Sequence, residues 1–169
     1  CSNSASILEL PDMHMDAVRA GIILYGMWPS DEVKRDGIVL EPLLSLKSRI
    51  AYIKELDAGQ EISYGGTFCT ANPMRVATIP VGYADGYPRR LSNMGKVFIN
   101  GKAYNQIGRI CMDVCMADVT GGDVRQGDEA ILFGRGGMSI EDVAQIVGTI
   151  NYELTCLVTE RANRVYVNN

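Results

Sequence analysis

The sequence predicts a mainly β chain, with a Greek-key-like β-barrel domain that carries one or two short helices. A remnant of a (β/α)8 barrel is expected to precede it. From residue 39 onward, many short β-branched runs alternate with turn residues, a pattern typical of small antiparallel barrels. Residues 1–38 instead contain a helix-like segment followed by an apolar run, which is half of a barrel repeat. We therefore expect a terminal part of a barrel at 1–38 and a β domain at 39–169.

The first segment opens with a helix signal. Asn3-Ser-Ala-Ser6 has the composition of a helix cap, and Pro11 follows one short helix later, where proline ends a helix. The uniformly apolar run Ile22–Tyr25 then predicts a buried parallel strand between Val18 and Gly26. One helix and one strand cannot close a barrel, so this segment reads as a piece of a larger domain.

The second segment predicts a series of short strands. Asn100-Gly101 directly follows the β-prone run Val97-Phe-Ile99, and this pair suits the two-residue type I′ turn of a β-hairpin. One or two strands are then expected within Ala103–Val119, the first of them the returning strand of the hairpin. The other expected strands lie within Leu44–Leu56, Glu61–Thr70, Arg75–Val81, Glu129–Phe133 and Arg164–Val167.

One stretch of the second segment has a clear helical period. Ser139 offers an N-cap, and acidic side chains follow it in the first turn. The apolar residues recur at the i, i+3, i+4, i+7 spacing of one helix face, namely Ile140, Val143, Ala144 and Val147. Gly148 is expected to end this helix, and a second short helix is expected to begin near Thr149 or Asn151.

Composition excludes several classes of function. The 169 residues carry a net charge of −4, and Lys and Arg are scattered and form no basic run, so neither nucleic acid nor an anionic membrane is an expected partner. The apolar runs are too short to cross a bilayer, and no signal peptide is recognisable. A small molecule or a protein is the expected partner. Because the sequence begins at Cys1 without a Met, we expect a fragment or a processed product.

The five cysteines do not form a recognisable framework. Their number is odd, and their spacing is not that of a disulfide-rich domain. Cys111 and Cys115 lie four apart, but zinc requires two more ligands and His14 is the only histidine. The sequence therefore predicts no metal site, and reduced core cysteines in a cytoplasmic protein.

A tyrosine followed by two glycines stands out in Glu61-Ile-Ser-Tyr-Gly-Gly-Thr-Phe68. Glycines let a backbone turn sharply and bring the phenol of Tyr64 close to a bound molecule. Taken alone, Tyr64 fits a half-buried strand tyrosine before a β-bulge better than a functional residue.

Further motifs follow the Tyr64 stretch or precede it in a characteristic order. They are Met15-Asp-Ala-Val-Arg-Ala-Gly-Ile22, Leu44-Ser-Leu-Lys-Ser-Arg49, Val81-Gly-Tyr-Ala-Asp-Gly-Tyr-Pro-Arg-Arg90, Ile107-Gly-Arg-Ile-Cys-Met-Asp113 and Thr149-Ile-Asn-Tyr152. In this order the chain resembles the C-terminal half of the alanine racemases, from Asn3 to Val167. The order of the motifs makes the resemblance specific, although each motif alone is weak.

The resemblance implies pyridoxal 5′-phosphate as cofactor. It places phosphate contacts at the hydroxyl of Ser4, at the backbone N–H groups of Gly21 and Ile22, and at Tyr152. It places Arg19 against the pyridine nitrogen, where an always-charged guanidinium leaves that nitrogen unprotonated. From the pattern alone, Ser4 also fits a helix cap, Arg19 a surface arginine and Tyr152 a packing residue.

The resemblance also implies a racemase mechanism with two bases. Tyr64 would serve one face of the substrate and a lysine of the N-terminal barrel the other. Met112 would approach the substrate carboxylate through its backbone N–H, while Tyr83, Arg89 and Arg109 would guard the entry channel. In the family that lysine, which forms the Schiff base with the cofactor, lies in a Lys-Ala-Asn-Ala-Tyr-Gly motif, and this motif does not occur among the 169 residues. We therefore expect the chain alone to be inactive.

The family forms homodimers in which the catalytic tyrosine enters the partner's barrel, so each active site uses both chains. The implied reaction interconverts L- and D-alanine and supplies D-alanine for peptidoglycan precursors in the cytoplasm. A serine or broad-specificity racemase is the nearest alternative. A non-catalytic β-domain that only dimerises or binds a partner is the alternative from a different class.

Overall fold

The computed structural model describes residues 1–167 of the chain. The chain divides into two compact units, of which the first is Cys1–Leu44 and the second begins at Ser45. No helix within 1–167 has the length and apolar character that crossing a membrane requires. The assignment of 1–38 to a (β/α)8 barrel and of 39–169 to the β domain stays a prediction.

The first unit holds one α-helix, α1 (Ser4–Glu9), and two 3₁₀ turns, at Pro11–Met13 and Ile22–Tyr25. The side chain of Asn3 caps α1 by accepting the N–H of Ser6 at 3.1 Å, as the cap composition predicted. A single parallel bridge joins Ser2 to Val18.

The strand expected at Ile22–Tyr25 is wrong. These residues form a 3₁₀ turn that ends at Gly26, whose φ is +71°. Ile22 is buried, but Leu24 and Tyr25 are 63% and 54% exposed. A run of four apolar residues does not distinguish a strand from a helical turn. Gly26 lies so close to the backbone of Glu41 that a β-carbon on Gly26 would be 1.7 Å from the Glu41 carbonyl oxygen.

The second unit is mainly β. Its strands are β1 (Leu46–Arg49), β2 (Tyr52–Leu56), β3 (Glu61–Ile62), β4 (Phe68–Cys69), β5 (Met74–Ile79), β6 (Lys96–Ile99), β7 (Lys102–Ile107), β8 (Cys115–Asp118) and β9 (Glu129–Phe133). Seven of them form a curled antiparallel sheet in the order β1-β9-β6-β7-β8-β5-β2, and β3 pairs with β4 in a separate ribbon. The prediction of a mainly β domain with a few short helices is confirmed.

Strands β6 and β7 form the expected hairpin. Ile99 faces Lys102, and the two residues between them, Asn100 and Gly101, have φ values of +51° and +74°. Positive φ at both central residues is the signature of a type I′ turn. The second unit has an apolar core whose fully buried members include Ile79, Ile99, Leu132 and Phe133.

Two helices complete the second unit, α2 (Ile140–Val147) and α3 (Asn151–Leu157). Ser139 caps α2 by accepting the N–H of Asp142 at 3.0 Å, and Gly148 ends it with a φ of +75°. Both helices were predicted. The strand expected at Arg164–Val167 is wrong, because these residues have no regular secondary structure. Val165 and Tyr166 are 79% and 90% exposed. β-branched and aromatic residues favour strands, but residues 164–167 pair with no strand of the described chain.

The five cysteines are all free. Cys115 is buried within β8, and Cys111 is half-buried. The expectation of core positions is wrong for Cys1, Cys69 and Cys156, which are exposed. Cysteine is most often buried in proteins, and that preference alone cannot assign a single position.

Candidate functional site

Tyr64 lies on a tight connection between β3 and β4. Tyr64–Gly66 form a 3₁₀ turn in which Gly65 and Gly66 have φ values of +71° and +54°. The Tyr64 side chain is 75% exposed. The two glycines therefore present the phenol outward instead of letting it pack into the core as a strand tyrosine would.

Close neighbours explain why glycine follows Tyr64 twice. A β-carbon on Gly65 would lie 2.8 Å from Nη1 of Arg109, and one on Gly66 would lie 2.6 Å from the carboxyl carbon of Glu61. Both glycines thus combine a left-handed backbone with a crowded surface. The guanidinium of Arg109 rests directly against the backbone that carries Tyr64.

The Arg109 segment is held by hydrogen bonds from two polar side chains, the buried Gln106 and the exposed Asn93. Gln106 is 1% exposed, and its Nε2 donates to the carbonyls of Ile107 and Gly108 at 2.9 Å. The N–H of Gly108 donates to Oδ1 of Asn93 at 2.6 Å. These bonds hold a left-handed Gly108, with φ +70°, and so set the direction in which Arg109 leaves β7.

Tyr83 is carried by another 3₁₀ turn, Tyr83–Asp85, which is bonded to the chain after Arg109. The N–H of Tyr83 donates to the carbonyl of Cys111 at 3.0 Å, and that of Ala84 to the carbonyl of Met112 at 3.1 Å. A β-carbon on Gly82 would lie 2.2 Å from the Cys111 carbonyl oxygen. Gly82 is therefore required for this close backbone contact.

Arg161 ties the Tyr83 turn to Asp113. Its Nη2 donates to Oδ1 of Asp113 at 2.5 Å, and its Nε lies 3.3 Å from Oδ1 of Asp85. The hydrogen bond to Asp113 raises the pKa of the Arg161 guanidinium, and the charges of Asp85 and Asp113 act in the same direction. One cation thus holds two acidic side chains beside the Met112 backbone.

The Tyr64 turn, the Tyr83 turn and the segment that follows β7 line an open depression of about 970 Å³. All five residues predicted for catalysis, substrate and channel line it, namely Tyr64, Tyr83, Arg89, Arg109 and Met112. The rest of its lining is formed by Ser63, Ile110, Cys111, Asp113, Val114 and Met116. Two guanidinium groups and two phenols at one mouth suit a small anionic ligand such as a carboxylate.

The residues predicted to bind the cofactor do not line this depression. Ser4, Arg19, Gly21 and Ile22 belong to the first unit, and Tyr152 lies on α3, 39% exposed. In the first unit the hydroxyl of Ser4, which is 4% exposed, accepts the N–H of Gly21 at 2.9 Å. The structure therefore brings Ser4 and Gly21 together, while Arg19 is exposed.

Sequence reasoning did not find two residues that shape the site. Ser63 precedes Tyr64 and bonds to the Arg109 backbone, and Arg161 bridges Asp85 and Asp113. Ser63 lies inside the Tyr64 motif but carried no assigned role, and Arg161 lies outside all the motifs of the sequence analysis. The only available signal for Ser63 was its place next to Tyr64, and Arg161 is 48 residues from Asp113 in the chain.

The sequence matches known proteins over nearly its whole length. Residues 43–166 match the family model for the alanine racemase C-terminal domain. The alanine racemase of Clostridium perfringens (strain SM101) is 49% identical over 172 residues, covering 99% of this chain and 45% of the relative. That of Desulforamulus reducens is 47% identical with the same coverage. The chain therefore spans about 45% of the length of these relatives.

Solved structures have the same fold. Alanine racemase of Clostridium difficile 630 in complex with cycloserine superposes with a TM-score of 0.95 at 47% identity, over 99% of this chain and 45% of that one. The biosynthetic alanine racemase of Pseudomonas aeruginosa superposes with a TM-score of 0.89 at 36% identity, over 99% of this chain and 47% of that one. The family model covers most of the chain, and the chain therefore belongs to the alanine racemase C-terminal domain family.

Proposed function

We propose that this chain is the C-terminal segment of an alanine racemase, which interconverts L- and D-alanine with pyridoxal phosphate and two bases. Tyr64 is the base for one face of the substrate. The observation that carries the proposal is the depression that the exposed Tyr64 lines together with Arg89, Arg109 and Met112. Racemisation requires proton transfer on both faces of the α-carbon, and a phenol held out on a rigid turn suits one of them.

The lining of the depression also suits the charge of the substrate carboxylate. Arg89 and Arg109 line the depression together with Tyr64, and guanidinium groups form strong, charge-assisted hydrogen bonds with carboxylates. The N–H of Met112 would bind the substrate carboxylate, while Tyr83 and Arg89 select small carboxylates at the entry.

The first unit offers groups that fit a phosphate. A phosphate binds to hydroxyls and backbone N–H groups, and the buried hydroxyl of Ser4 lies 2.9 Å from the N–H of Gly21. A β-carbon on Gly21 would lie 3.3 Å from that hydroxyl, so glycine allows the close approach of the two groups. Ser4, Gly21 and Ile22 would hold the phosphate of the cofactor, Tyr152 would contact it, and Arg19 would face the pyridine nitrogen.

When bound, pyridoxal phosphate would supply the electron sink that acidifies the α-proton. The residues of this chain then bind, orient and exchange protons. The remaining requirements come from outside the chain, namely an N-terminal barrel with the Schiff-base lysine and a second copy that completes each site of a homodimer. The biological role would be supply of D-alanine to cell-wall precursors in the cytoplasm.

The deciding experiment measures exchange of the alanine α-proton in heavy water by the assembled racemase. Tyr64→Phe is compared with Tyr52→Phe, which changes an exposed tyrosine on β2. We expect Tyr64→Phe to abolish exchange from one enantiomer while exchange from the other survives, because only one base is lost. Tyr52→Phe should behave as wild type.

Two results would contradict the proposal. Equal exchange of both enantiomers by Tyr64→Phe would make Tyr64 a structural residue. Turnover of alanine by residues 1–169 alone with added pyridoxal phosphate would show that no lysine from a barrel is needed.

A further inference from the structure

Ser63, directly before Tyr64, has an unusual backbone. Its φ is +66° and its ψ is −176°. This region is populated almost only by glycine, and other residues persist there when their surroundings hold them in place. A serine in this conformation therefore calls for an interaction of its side chain that glycine lacks.

The hydroxyl of Ser63 supplies such an interaction. It donates to the carbonyl of Arg109 at 2.6 Å and lies 3.2 Å from the sulfur of Cys111. The two segments are also in close backbone contact, because a β-carbon on Gly108 would lie 2.8 Å from the Ile62 carbonyl oxygen and 3.0 Å from the β-carbon of Ser63. Ser63 thus joins the Tyr64 turn to the segment that carries Arg109.

The Tyr64 side chain cannot position itself by packing. It is 75% exposed, whereas the residue on the other side of Ser63, Ile62, is 4% exposed and packs with Val76 and Ile107. The rigid core therefore ends at Ile62, and the direction of the phenol depends on the backbone of Ser63 and on the contact of Gly65 with the Arg109 guanidinium.

We propose that Ser63 is a positioning residue of the racemase, whose hydroxyl anchors the Tyr64 turn to the Arg109 carbonyl and so fixes the phenol relative to the substrate α-carbon. This inference rests on the proposed role of Tyr64. A hydroxyl that acts only through Tyr64 contributes to proton transfer on the face that Tyr64 serves and leaves the opposite face unaffected.

Ser63→Gly tests this inference in the assembled holoenzyme. Glycine adopts the observed φ without strain, so the fold is kept while the hydrogen bond is lost. We expect kcat to fall by about tenfold to a hundredfold, as misplacement of a catalytic group does, while KM stays within about twofold. Exchange of the α-proton should fall for the enantiomer that Tyr64→Phe affects and persist for the other.

Asn100→Gly is the matched control. Asn100 also has a positive φ, +51°, and its side chain donates to Asp128 at 2.8 Å. It lies in the hairpin turn and does not line the depression. Its replacement should leave kcat unchanged. This result would show that a loss of kcat in Ser63→Gly comes from the hydrogen bond of Ser63, and not from replacing any hydrogen-bonded residue at positive φ.

The double variant Ser63→Gly/Tyr64→Phe decides whether Ser63 acts through Tyr64. Once the phenol is gone, we expect Ser63→Gly to lower the remaining rate of α-proton exchange less than about twofold, since the effects of coupled residues are not additive. Wild-type kcat in Ser63→Gly, or an undiminished loss in the Tyr64→Phe background, would overturn this inference and leave the role of Tyr64 standing. Wild-type exchange in Tyr64→Phe would overturn the proposed function and this inference together.

Discussion

At the scale of single residues, the candidate site depends on glycines that permit contact and on polar residues that fix the contact once made. Gly65 makes room for the Arg109 guanidinium, and Gly82 makes room for the Cys111 carbonyl. Ser63 then bonds the Tyr64 turn to Arg109. The exposed phenol thus acquires a defined direction from its backbone neighbours.

Gly82→Ala should damage the wall of the depression. The φ of Gly82 is −148°, which any residue adopts, so the cost is steric. A β-carbon there would lie 2.2 Å from the Cys111 carbonyl oxygen and 2.3 Å from that of Met112. We expect the free energy of unfolding to fall by about 3 kcal/mol, the upper range for overpacking, together with a loss of the proposed racemase activity in the assembled protein.

Gly101→Ala is the comparison for Gly82→Ala in urea unfolding. Gly101 has a φ of +74°, and no atom lies within 4 Å of the point that its β-carbon would occupy, so the cost is conformational and about 1 kcal/mol. Equal destabilisation by the two variants would contradict the claim that close backbone contact, and not φ, requires glycine at position 82.

A residue could be assigned to the site from the sequence only where its neighbours in the chain form a recognisable motif. Tyr64 stands out because two glycines follow it, and Arg109 lies in a motif of the family. Ser63 could not be found in this way, because its positive φ depends on a carbonyl 46 residues further along the chain. A serine at positive φ leaves no local trace in the sequence.

At the scale of elements, turn residues and cap residues correctly predicted the turns and helices that interactions between neighbouring residues stabilise. The Asn100-Gly101 turn and the capped helix α2 both contain their own turn or cap residues, and both formed as expected. Ile22–Tyr25 and Arg164–Val167 differ, because a strand requires a neighbouring strand to pair with. Apolar character alone does not supply one.

Ser139→Ala should weaken α2 through its cap. The Ser139 hydroxyl accepts the N–H of Asp142 at 3.0 Å, and loss of such a cap costs about 1 kcal/mol. Urea unfolding should show this loss, while Ser139→Asp retains an acceptor at the cap and should keep wild-type stability. A wild-type free energy of unfolding in Ser139→Ala would show that the buried face of α2 holds the helix without its cap.

At the scale of the whole molecule, the curled sheet brings distant segments of the sequence to one mouth. The Tyr64 turn leaves the β3–β4 ribbon, Arg109 follows β7 and the Tyr83 turn follows β5. The same sheet encloses groups that water does not reach. Among them are the thiol of Cys115 and the phenol of Tyr87, both with 0% exposure.

The buried thiol and phenol should make the fold sensitive to alkali. Burial raises the pKa of Cys115, and a smaller contribution comes from Cys111; burial likewise raises the pKa of Tyr87, and a smaller contribution comes from Cys115. Both groups are protonated in the folded and unfolded states at neutral pH, so their contribution is complete there. Above the unfolded values, about 8.5 for a thiol and about 10 for a phenol, only the unfolded chain releases the proton. Stability then falls as pH rises, by about 1.4 kcal/mol per pH unit for each group.

Cys115→Ala separates the contribution of the thiol from the rest of the alkaline response. We expect urea unfolding between about pH 8.5 and pH 10 to give a shallower decline in the free energy of unfolding for Cys115→Ala than for wild type. Cys69→Ala changes an exposed thiol and should keep the wild-type slope. The slope, and not the stability at one pH, is the informative quantity, because loss of the buried sulfur also removes packing at every pH. Identical slopes for Cys115→Ala and wild type would mean that water reaches this thiol in the folded protein, and that the curled sheet is open at β8.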